Sequence, residues 1–260
     1  MEIRTVINTT QDTFQLYEVI RIIDDIPIFL EDHLTRLYLS ARLTGMVQLP
    51  NVTYLTELVK TFVNSQKKNI GNIKLSFSFS DPSSKPFCEL NYIPHAYPTK
   101  DEYTYGVKVG LLYADRIIPN AKIQNSEIRD RANKVISENN LYEVLLIDST
   151  GNITEGSRSN VFFVKNETLY SAPGDKILQG ITRIKILNLC KTANIQVVET
   201  EIPANVLNQY EAAFLTGTSP KVLPISSIEK FVYKTDIPLM IKLQKLYNLL
   251  IDDYISNLVK

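Results

Sequence analysis

The sequence has no tryptophan, only two histidines and only two cysteines among 260 residues. With His33 and His95 alone, a histidine-rich metal centre is excluded, and a Ser-His-Asp triad would have to use one of these two. Cys88 and Cys190 lie far apart in unlike sequence contexts, which favours two reduced thiols packed as small apolar groups. We therefore predict neither a metal site nor a disulfide.

The chain also lacks a net charge, because 28 basic residues balance 28 acidic ones. The chain therefore has no overall positive electrostatic potential that would attract nucleic acid or an anionic membrane. Eighteen consecutive apolar residues are found nowhere, which argues against a transmembrane segment. The opening residues, MEIRTVINTT, show neither the basic nor the apolar region of a signal peptide. We expect a cytoplasmic protein without a nucleic-acid or membrane partner.

Glycine is scarce and unevenly distributed. Five of the nine glycines fall between residues 151 and 217, so special backbone geometry is expected in that segment. Neither GxxxxGK nor GxGxxG is present, which excludes the common motifs for nucleotide phosphates.

The first part of the chain shows alternating β and α signals. FQLYEVIRIID predicts a strand, and Leu30, Leu34, Leu37 and Ala41 then repeat at helical spacing until Gly45. A second amphipathic helix follows, and IKLSFSFS alternates as a half-buried strand before the DPSSKP turn. Prolines in NYIPHAYPTKDEY interrupt the pattern, which predicts a domain boundary there, between residues 1–97 and 98–260.

The second part is again mixed. Predicted strands are YGVKVGLLYA, YEVLLID, SNVFFV, TLYSA and AAFLTG. Predicted helices are EIRDRANKVISENN, GITRIKILNLCKTAN and the C-terminal IPLMIKLQKLYNLLIDDYISNLVK. Together the patterns predict two α/β domains.

Three charged residues stand at notable places without being diagnostic alone. Lys122 comes just before a predicted helix, where a solvated surface lysine is the ordinary alternative. Glu155 lies in the turn-forming run GNITEGSRSN before a strand, where a carboxylate is usually a rim charge. Arg36 follows His33 by three residues on the first helix, and the alternative there is an exposed helix face capped by Asp32.

Two glycine loops are better signals, because each places free amides beside a hydroxyl. QGITR puts Gly180 before a helix whose first turn holds Thr182, which favours an anion. LTGTSPK ends a strand with Gly217, Thr218 and Ser219, whose amides can form a nest. Simple capping is the alternative for both. Two such loops and one arginine suit a single phosphate.

Taken in order, these segments resemble the class IV pyridoxal-phosphate aminotransferases, which include branched-chain aminotransferases, D-amino-acid aminotransferases and 4-amino-4-deoxychorismate lyases. The resemblance runs from LYEVIRI to KVLPISSI and is most specific in YEVLLIDSTGNITEGSRSNVFFV, LQGITR and AAFLTGTSPKVLPI. It implies the two-domain fold type IV, with a smaller N-terminal α/β domain (1–97) and a larger, barrel-like mixed-sheet domain (98–260) that binds pyridoxal 5'-phosphate. It also implies a homodimer with the site near the subunit contact.

The resemblance assigns roles to individual positions. Lys122, in KIQN, is similar to the lysine that forms the internal aldimine with pyridoxal phosphate, and Glu155 to the carboxylate on the pyridine nitrogen. The other cofactor contacts that it implies are Arg36, Ile181, Thr182, Gly217 and Thr218. The substrate contacts that it implies are Tyr17, Thr218 and Ser219.

These roles have a physical basis in the chemistry of the cofactor. Pyridoxal phosphate delocalises the carbanion left when an amino acid loses its Cα proton, and it does so best with a protonated ring nitrogen. A carboxylate in a partly dry site raises the pKa of that nitrogen, so Glu155 is expected to stay ionised. Lys122 is expected to act as the base, with a pKa depressed by the cationic ring beside it.

Three departures from the family pattern affect the pocket. The longer N-terminal strand pair is replaced by NTTQDTFQLYE, and Ser126 stands where branched-chain enzymes have a tyrosine near the lysine. SFSFSDPSS replaces the arginine-bearing segment of the D-amino-acid and lyase members, which favours a less charged pocket.

Three functions follow from the resemblance. The first is an aminotransferase that moves an α-amino group between an amino acid, preferably branched-chain or aliphatic, and a 2-oxo acid through aldimine and quinonoid intermediates. The second is a 4-amino-4-deoxychorismate lyase that makes 4-aminobenzoate and pyruvate. The third is a non-catalytic pyridoxal-phosphate-binding protein, against which the presence of both Lys122 and Glu155 counts.

Overall fold

The computed structural model describes residues 14–258. The first ten residues, in which no signal peptide is expected, lie outside this range. Most of the altered N-terminal segment NTTQDTFQLYE lies outside it as well. Within it, no helix is long and apolar enough to cross a membrane. Cys88 and Cys190 are both free thiols, and burial raises the pKa of each to about 11.

The first sheet has four antiparallel strands in the order β2-β1-β3-β4. The strands are β1 (Phe14–Ile23), β2 (Ile26–Pro27), β3 (Ile70–Phe79) and β4 (Phe87–Ile93), and the helices α1 (Leu30–Leu43) and α2 (Val52–Gln66) complete this half. Leu16, Ile20 and Ile22 alternate along β1 and pack with Leu34 and Leu37 of α1 in one fully buried cluster. The predicted strand and both predicted helices are confirmed; β4 was not predicted.

Strand β3 corrects the expectation of a half-buried strand. Ile73, Leu75 and Phe77 are buried on one face, but Asn72 and Ser76 on the other face are buried as well. The side-chain Nδ2 of Asn72 donates a hydrogen bond to Oγ of Ser219, in the second half of the chain (2.7 Å). The polar face of β3 is therefore covered by the chain itself, because it faces the region where the two halves meet.

The second sheet has nine strands in the order β10-β9-β8-β11-β12-β5-β6-β7, with β13 beside β12. They are β5 (Val107–Tyr113), β6 (Glu143–Ile147), β7 (Ile153–Gly156), β8 (Asn160–Lys165), β9 (Thr168–Ser171), β10 (Val197–Glu199), β11 (Ala212–Gly217), β12 (Lys221–Ile228) and β13 (Phe231–Val232). Strand β5 runs parallel to both β6 and β12, and most other neighbours are antiparallel. The sheet is therefore mixed, as expected; β7, β10, β12 and β13 were not predicted.

Four helices belong to this half: α3 (Lys100–Tyr105), α4 (Ser126–Asn139), α5 (Ile181–Thr192) and α6 (Pro238–Leu258). The prediction missed α3, which a capping box of Thr99 and Glu102 starts inside the proline-interrupted segment. Helix α4 confirms the predicted helix EIRDRANKVISENN and packs Ile128 and Ala132 inward. Helix α6 packs against α5 and β12. The boundary near residue 98 stays a prediction.

Between residues 151 and 217, where special backbone geometry was expected, most glycines permit close packing and do not adopt a left-handed backbone conformation. Of the five glycines there, only Gly151 has a positive φ, of 85°. Gly156 and Gly180 are required for close approach instead, since a Cβ at Gly156 would collide with Ser159 Oγ and one at Gly180 with Asn160 Oδ1. Both lie beside predicted site residues.

Candidate active site

Lys122 lies in the loop between β5 and α4, and this loop is fastened to the first half of the chain. The backbone N–H of Lys122 donates to Ser40 Oγ (3.0 Å), and its carbonyl accepts from the N–H of Tyr17 (3.2 Å). The Lys122 Nζ lies 4.8 Å from the centroid of the Tyr17 ring. Burial lowers the pKa of Lys122, although the neighbouring Tyr17 opposes the shift. A lowered pKa agrees with the expected direction, and burial is its largest cause in the protein itself; the effect of a cofactor ring stays a prediction.

Glu155 lies within strand β7, not in a turn as predicted, and it is 2% exposed. Its Oε2 accepts from Asn160 Nδ2 (3.2 Å) and from the N–H of Leu178 (3.3 Å). Its Oε1 is 2.6 Å from Nε of Arg116, but the angle is not that of a hydrogen bond, so this buried oxygen has no hydrogen-bond donor within residues 14–258. Burial raises the pKa of Glu155, whereas Arg116 and Lys122 lower it. Ionisation of this carboxylate thus depends on nearby cations.

Glu143, which was not among the predicted site residues, holds the loop after Glu155. Its carboxylate accepts hydrogen bonds from Ser157 Oγ (2.7 Å), Ser159 Oγ (3.0 Å), the N–H of Arg158 (3.1 Å) and its neighbour's N–H. Glu143 is 4% exposed. A charged residue inside the apolar strand YEVLLID was the available signal. Its burial explains the tight approach that Gly156 permits.

Arg36 is buried at 7% exposure, so the alternative of an exposed helix face is wrong. It donates to Glu18 Oε1 from Nε (2.8 Å) and to Oε2 from Nη2 (2.6 Å). His33 Nδ1 lies 2.7 Å from the same carboxylate. Burial, the largest single effect, would raise the pKa of Glu18, but the charges and hydrogen bonds of Arg36 and His33 together outweigh it and hold the pKa at about 2. Helix α1 starts after Phe29 and has no side-chain cap, so Asp32 is not its cap.

The QGITR loop meets the expectation of an open helix start. Gly180 is the N-cap of α5, and no side chain within residues 14–258 caps its first turn. The first amides, those of Ile181 and Thr182, can therefore bind an anion. Nη1 of Arg36 donates to the carbonyl of Gln179 (3.1 Å), which brings this guanidinium to the loop. The hydroxyl of Thr182 is already paired with Tyr247 (3.2 Å), so its backbone amide is the better ligand.

The second loop follows β11 at Gly217, and hydrogen bonds to residues of β1 hold it in place. Arg21 Nη1 donates to the carbonyls of Thr218 (3.4 Å) and Ser219 (3.0 Å). The hydroxyl of Thr218 donates to the carbonyl of Val19 (3.3 Å). With its carbonyls engaged by Arg21, the turn leaves its amides for an anion on the opposite side.

Cations surround the Tyr17 ring beyond Lys122. Arg129 Nη2 donates to the Tyr17 hydroxyl (3.4 Å), and Lys74 Nζ lies 5.0 Å from the ring centroid. Lys122, with Arg129, Arg116 and Lys74, lowers the pKa of Tyr17 to about 8 although burial opposes it. Arg129 and Lys74 were not predicted, because they are distant from Tyr17 in sequence. They place positive charge at Tyr17, while the expectation of a less charged substrate pocket stays a prediction.

The arrangement fits pyridoxal phosphate. Oε1 of Glu155 is a buried acceptor that forms an ion pair with Arg116 but accepts no hydrogen bond within residues 14–258, so it can accept one from a protonated pyridine nitrogen. Lys122 is close enough to influence the pKa of Glu155, so the two predicted residues share one region. The uncapped start of α5 and the Arg36 guanidinium lie together at one place, where a phosphate would be held. The roles of these residues, including Gly217, Thr218 and Ser219, stay predictions.

Comparison with known proteins gives a consistent result. Residues 15–228 match the family described as "Amino-transferase class IV". A D-alanine aminotransferase from Bacillus licheniformis is 28% identical over 231 residues, covering 82% of this chain and 78% of that protein. The crystal structure of a putative branched-chain amino acid aminotransferase from Thermotoga maritima is 26% identical with a TM-score of 0.79, covering 92% of this chain and 86% of that one.

A second solved structure extends the likeness of the fold. A putative 4-amino-4-deoxychorismate lyase from Legionella pneumophila has a TM-score of 0.82 at 21% identity, with 90% of each chain covered. At this identity the match shows the shared fold and nothing about the reaction. Since the family match spans most of the chain and the fold agrees, this protein is a member of the class IV aminotransferase family.

Proposed function

We propose that this protein is a pyridoxal-phosphate-dependent aminotransferase that transfers an α-amino group between an amino acid and a 2-oxo acid. The observation that supports it best is that Lys122, whose pKa burial lowers, lies near the buried carboxylate of Glu155, which Arg116 and Asn160 hold in place. Family membership supports the same reaction class. The presence of both residues counts against a non-catalytic binding protein.

Each of these residues has a task that its surroundings favour. Pyridoxal phosphate, when bound, supplies the electron sink for the electrons of the broken Cα–H bond. Glu155 would hold the proton on the ring nitrogen, with Arg116 and Asn160 keeping its carboxylate in place. Arg36 and the amides of Ile181 and Thr182 would bind the phosphate and fix the position of the ring.

Lys122 would move the proton of the substrate Cα. Burial lowers the pKa of its amine, so a larger share of the amine is neutral at physiological pH and able to accept a proton. Its backbone hydrogen bonds to Ser40 and Tyr17 hold the start of the side chain fixed, so that Nζ has a limited range.

The substrate is best described by the groups around Tyr17. The relatives are named for D-alanine and branched-chain amino acids, which supports a small or aliphatic amino donor. Lys74 and Arg129, however, place positive charge at the Tyr17 ring, where it would pair with a carboxylate. An acidic amino acid or its 2-oxo acid is thus expected as one partner of the exchange.

The same cations favour a second candidate, the 4-amino-4-deoxychorismate lyase, whose substrate has a ring carboxylate in addition to further polar groups. The two reactions differ in what they need. The lyase releases pyruvate without an amino acceptor, whereas the aminotransferase needs one. We further propose, from the family resemblance, that the protein is a cytoplasmic homodimer.

Reductive trapping tests the attachment. Purified protein is incubated with pyridoxal phosphate, reduced with borohydride and digested, and the modified peptide is identified by mass spectrometry. We expect the adduct on Lys122 and none in Lys122→Ala. Lys134→Ala is the matched control, since Lys134 is exposed on α4, and it should be labelled like wild type. An adduct of equal yield in Lys122→Ala would refute the assignment.

A donor panel tests the reaction. The holoenzyme is mixed with L-leucine, L-isoleucine, D-alanine, L-glutamate or D-glutamate, and loss of the aldehyde absorbance of the cofactor is followed. Conversion by any of them supports the aminotransferase. Pyruvate release from aminodeoxychorismate without acceptor, with no conversion by the donors, supports the lyase instead.

A further inference from the structure

A cavity of about 300 Å³ adjoins the turn at residues 217–219. Two of its lining residues, Arg21 and Lys221, also line a small pocket with Ile181, Thr182 and Thr218, so the cavity borders the candidate phosphate loops. Its wall comes from β1, the segment between the two sheets, α3, the start of β12 and α6. The lining residues are Arg21, Tyr97, Pro98, Tyr103, Lys221, Val222, Gln244 and Asn248. None of Lys122, Glu155 or Arg36 contributes to this wall. At about 30 Å³ per water molecule, the space would hold roughly ten waters, enough for a small organic anion.

The charge of this wall is positive, because Arg21 and Lys221 are the only charged residues that residues 14–258 contribute to it. Burial lowers the pKa of Lys221, and the like charge of Arg21 lowers it further, whereas Asp252 opposes both. Two cations therefore face one space with no carboxylate in the wall between them. The other polar groups are two tyrosine hydroxyls and two side-chain amides, which can donate hydrogen bonds.

Arg21 is only partly satisfied by the protein. Its Nη1 donates to the carbonyls of Thr218 and Ser219, and its guanidinium stacks on the Tyr97 ring with Cζ 3.9 Å from the centroid. Its Nε is buried and has no hydrogen-bond partner within residues 14–258. Solvent does not reach this Nε, so a ligand in the cavity would bind the guanidinium through Nη2, which donates to no group within residues 14–258.

We propose that this cavity is a second binding site, which takes a small anion carrying a carboxylate or phosphate group between Arg21 and Lys221. The site is coupled to the candidate active site, because the same guanidinium that would bind the anion holds the carbonyls of the turn at Thr218 and Ser219. An anion that draws Arg21 toward the cavity would loosen this turn.

Asn248 offers an isosteric variant. Lys221 Nζ donates to Asn248 Oδ1 (2.8 Å), and Asn248 is exposed on α6, so Asn248→Asp should fold while placing a carboxylate beside Lys221. That carboxylate would neutralise Lys221 and repel an entering anion. The matched control is Asn257→Asp, the same change at an exposed position of the same helix, remote from the cavity wall.

The experiment is isothermal titration calorimetry of the full-length protein saturated with pyridoxal phosphate, at constant ionic strength, with malonate and with inorganic phosphate as separate probes. We expect at least one probe to bind, and its affinity to fall about ten-fold or more in Asn248→Asp but not in Asn257→Asp. A second variant, Lys221→Gln, should weaken binding as well. Tighter malonate binding would indicate a carboxylate ligand, and tighter phosphate binding a phosphate ligand.

Three results would overturn the proposal. The first is equal affinity of wild type, Asn248→Asp and Lys221→Gln for both probes, and the second is no binding of either probe at millimolar concentration. The third is a loss of probe affinity that keeps growing in proportion to the amino-donor concentration, because only direct competition for the substrate pocket, and not coupling between two sites, has no limit.

Discussion

Replacing Glu18 by glutamine is the most direct test of the buried charge cluster beneath the candidate site. Glu18 is fully buried and accepts two hydrogen bonds from Arg36, with His33 as a third partner. Glutamine has nearly the same shape but no charge, so it leaves the guanidinium buried without its counter-ion. Breaking a buried ion pair in this way costs about 3–5 kcal/mol.

The shift in the pKa of Glu18 gives a similar estimate of the free energy that the ion pair contributes to folding. The pKa falls from an ordinary 4.5 to about 2, because Arg36 and His33 outweigh the effect of burial. At about 1.4 kcal/mol per pKa unit, the shift corresponds to roughly 3 kcal/mol of folding free energy. Because the folded pKa is the lower one, this contribution is fully present above 4.5 and is lost as the pH falls through about 2.

The assay is urea unfolding of wild type and Glu18→Gln without added cofactor, at neutral pH and at a series of lower pH values. We expect a deficit of about 3 kcal/mol at neutral pH that narrows on acidification. The control is Glu127→Gln, because Glu127 is exposed and its contact with Arg131 is 3.9 Å long; its effect should stay within about 0.5 kcal/mol. Burial also lowers the pKa of His33, so both variants are repeated in a His33→Gln background.

The reasoning is refuted if Glu18→Gln is as stable as wild type at neutral pH. It is equally refuted if the deficit is the same at every pH, because a loss of shape without a loss of charge has no such dependence.

Three further outcomes are expected. Glu155→Gln should keep the cofactor but slow the amino-donor half-reaction by about 10²-fold or more, since an amide does not hold the ring proton; stopped-flow absorbance measures it, and an unchanged rate contradicts the role. Lys122→Met should raise the stability of the cofactor-free protein at neutral pH. Between the lowered pKa of Lys122 and its ordinary 10.5, the unfolded wild-type chain binds more protons than the folded one, so the wild type gains stability as the pH rises. The advantage of Lys122→Met, measured by urea unfolding, should therefore shrink as the pH approaches 10.5. If Lys122→Met lowers the stability instead, burial is not the cause of the lowered pKa. Tyr17→Phe should remove a phenolate that forms near pH 8 in ultraviolet titration of the wild type, and a titration that persists there belongs to another tyrosine.

Local patterns in the sequence were sufficient for much of the fold. Strand β1 and helices α1, α4 and α5 were predicted because apolar spacing is a property of a few consecutive residues. Short elements such as β7 and β10 were missed, since three or four residues contain too little pattern and their pairing comes from distant partners. Helix α3 was missed because a capping box, rather than apolar spacing, starts it.

Some residues of the candidate site were likewise predicted from the sequence, whereas others were found only in the tertiary structure. The order and spacing of its motifs already suggested Lys122, Glu155 and two phosphate loops, because these lie in short segments that the sequence presents intact. The partners of those residues came only from the tertiary structure. Glu18 meets Arg36 because β1 packs on α1, and Arg116 reaches Glu155 across a loop.

What the sequence by itself determined was therefore the family and the candidate chemistry, since both depend on residue types at short spacings. Tertiary structure alone decided which charges are buried, which cations surround Tyr17, and that a positive cavity adjoins the turn at residues 217–219. The physical reason is that burial and charge pairing depend on distances between residues far apart in the chain. Those distances exist only once both sheets have folded and packed against their helices.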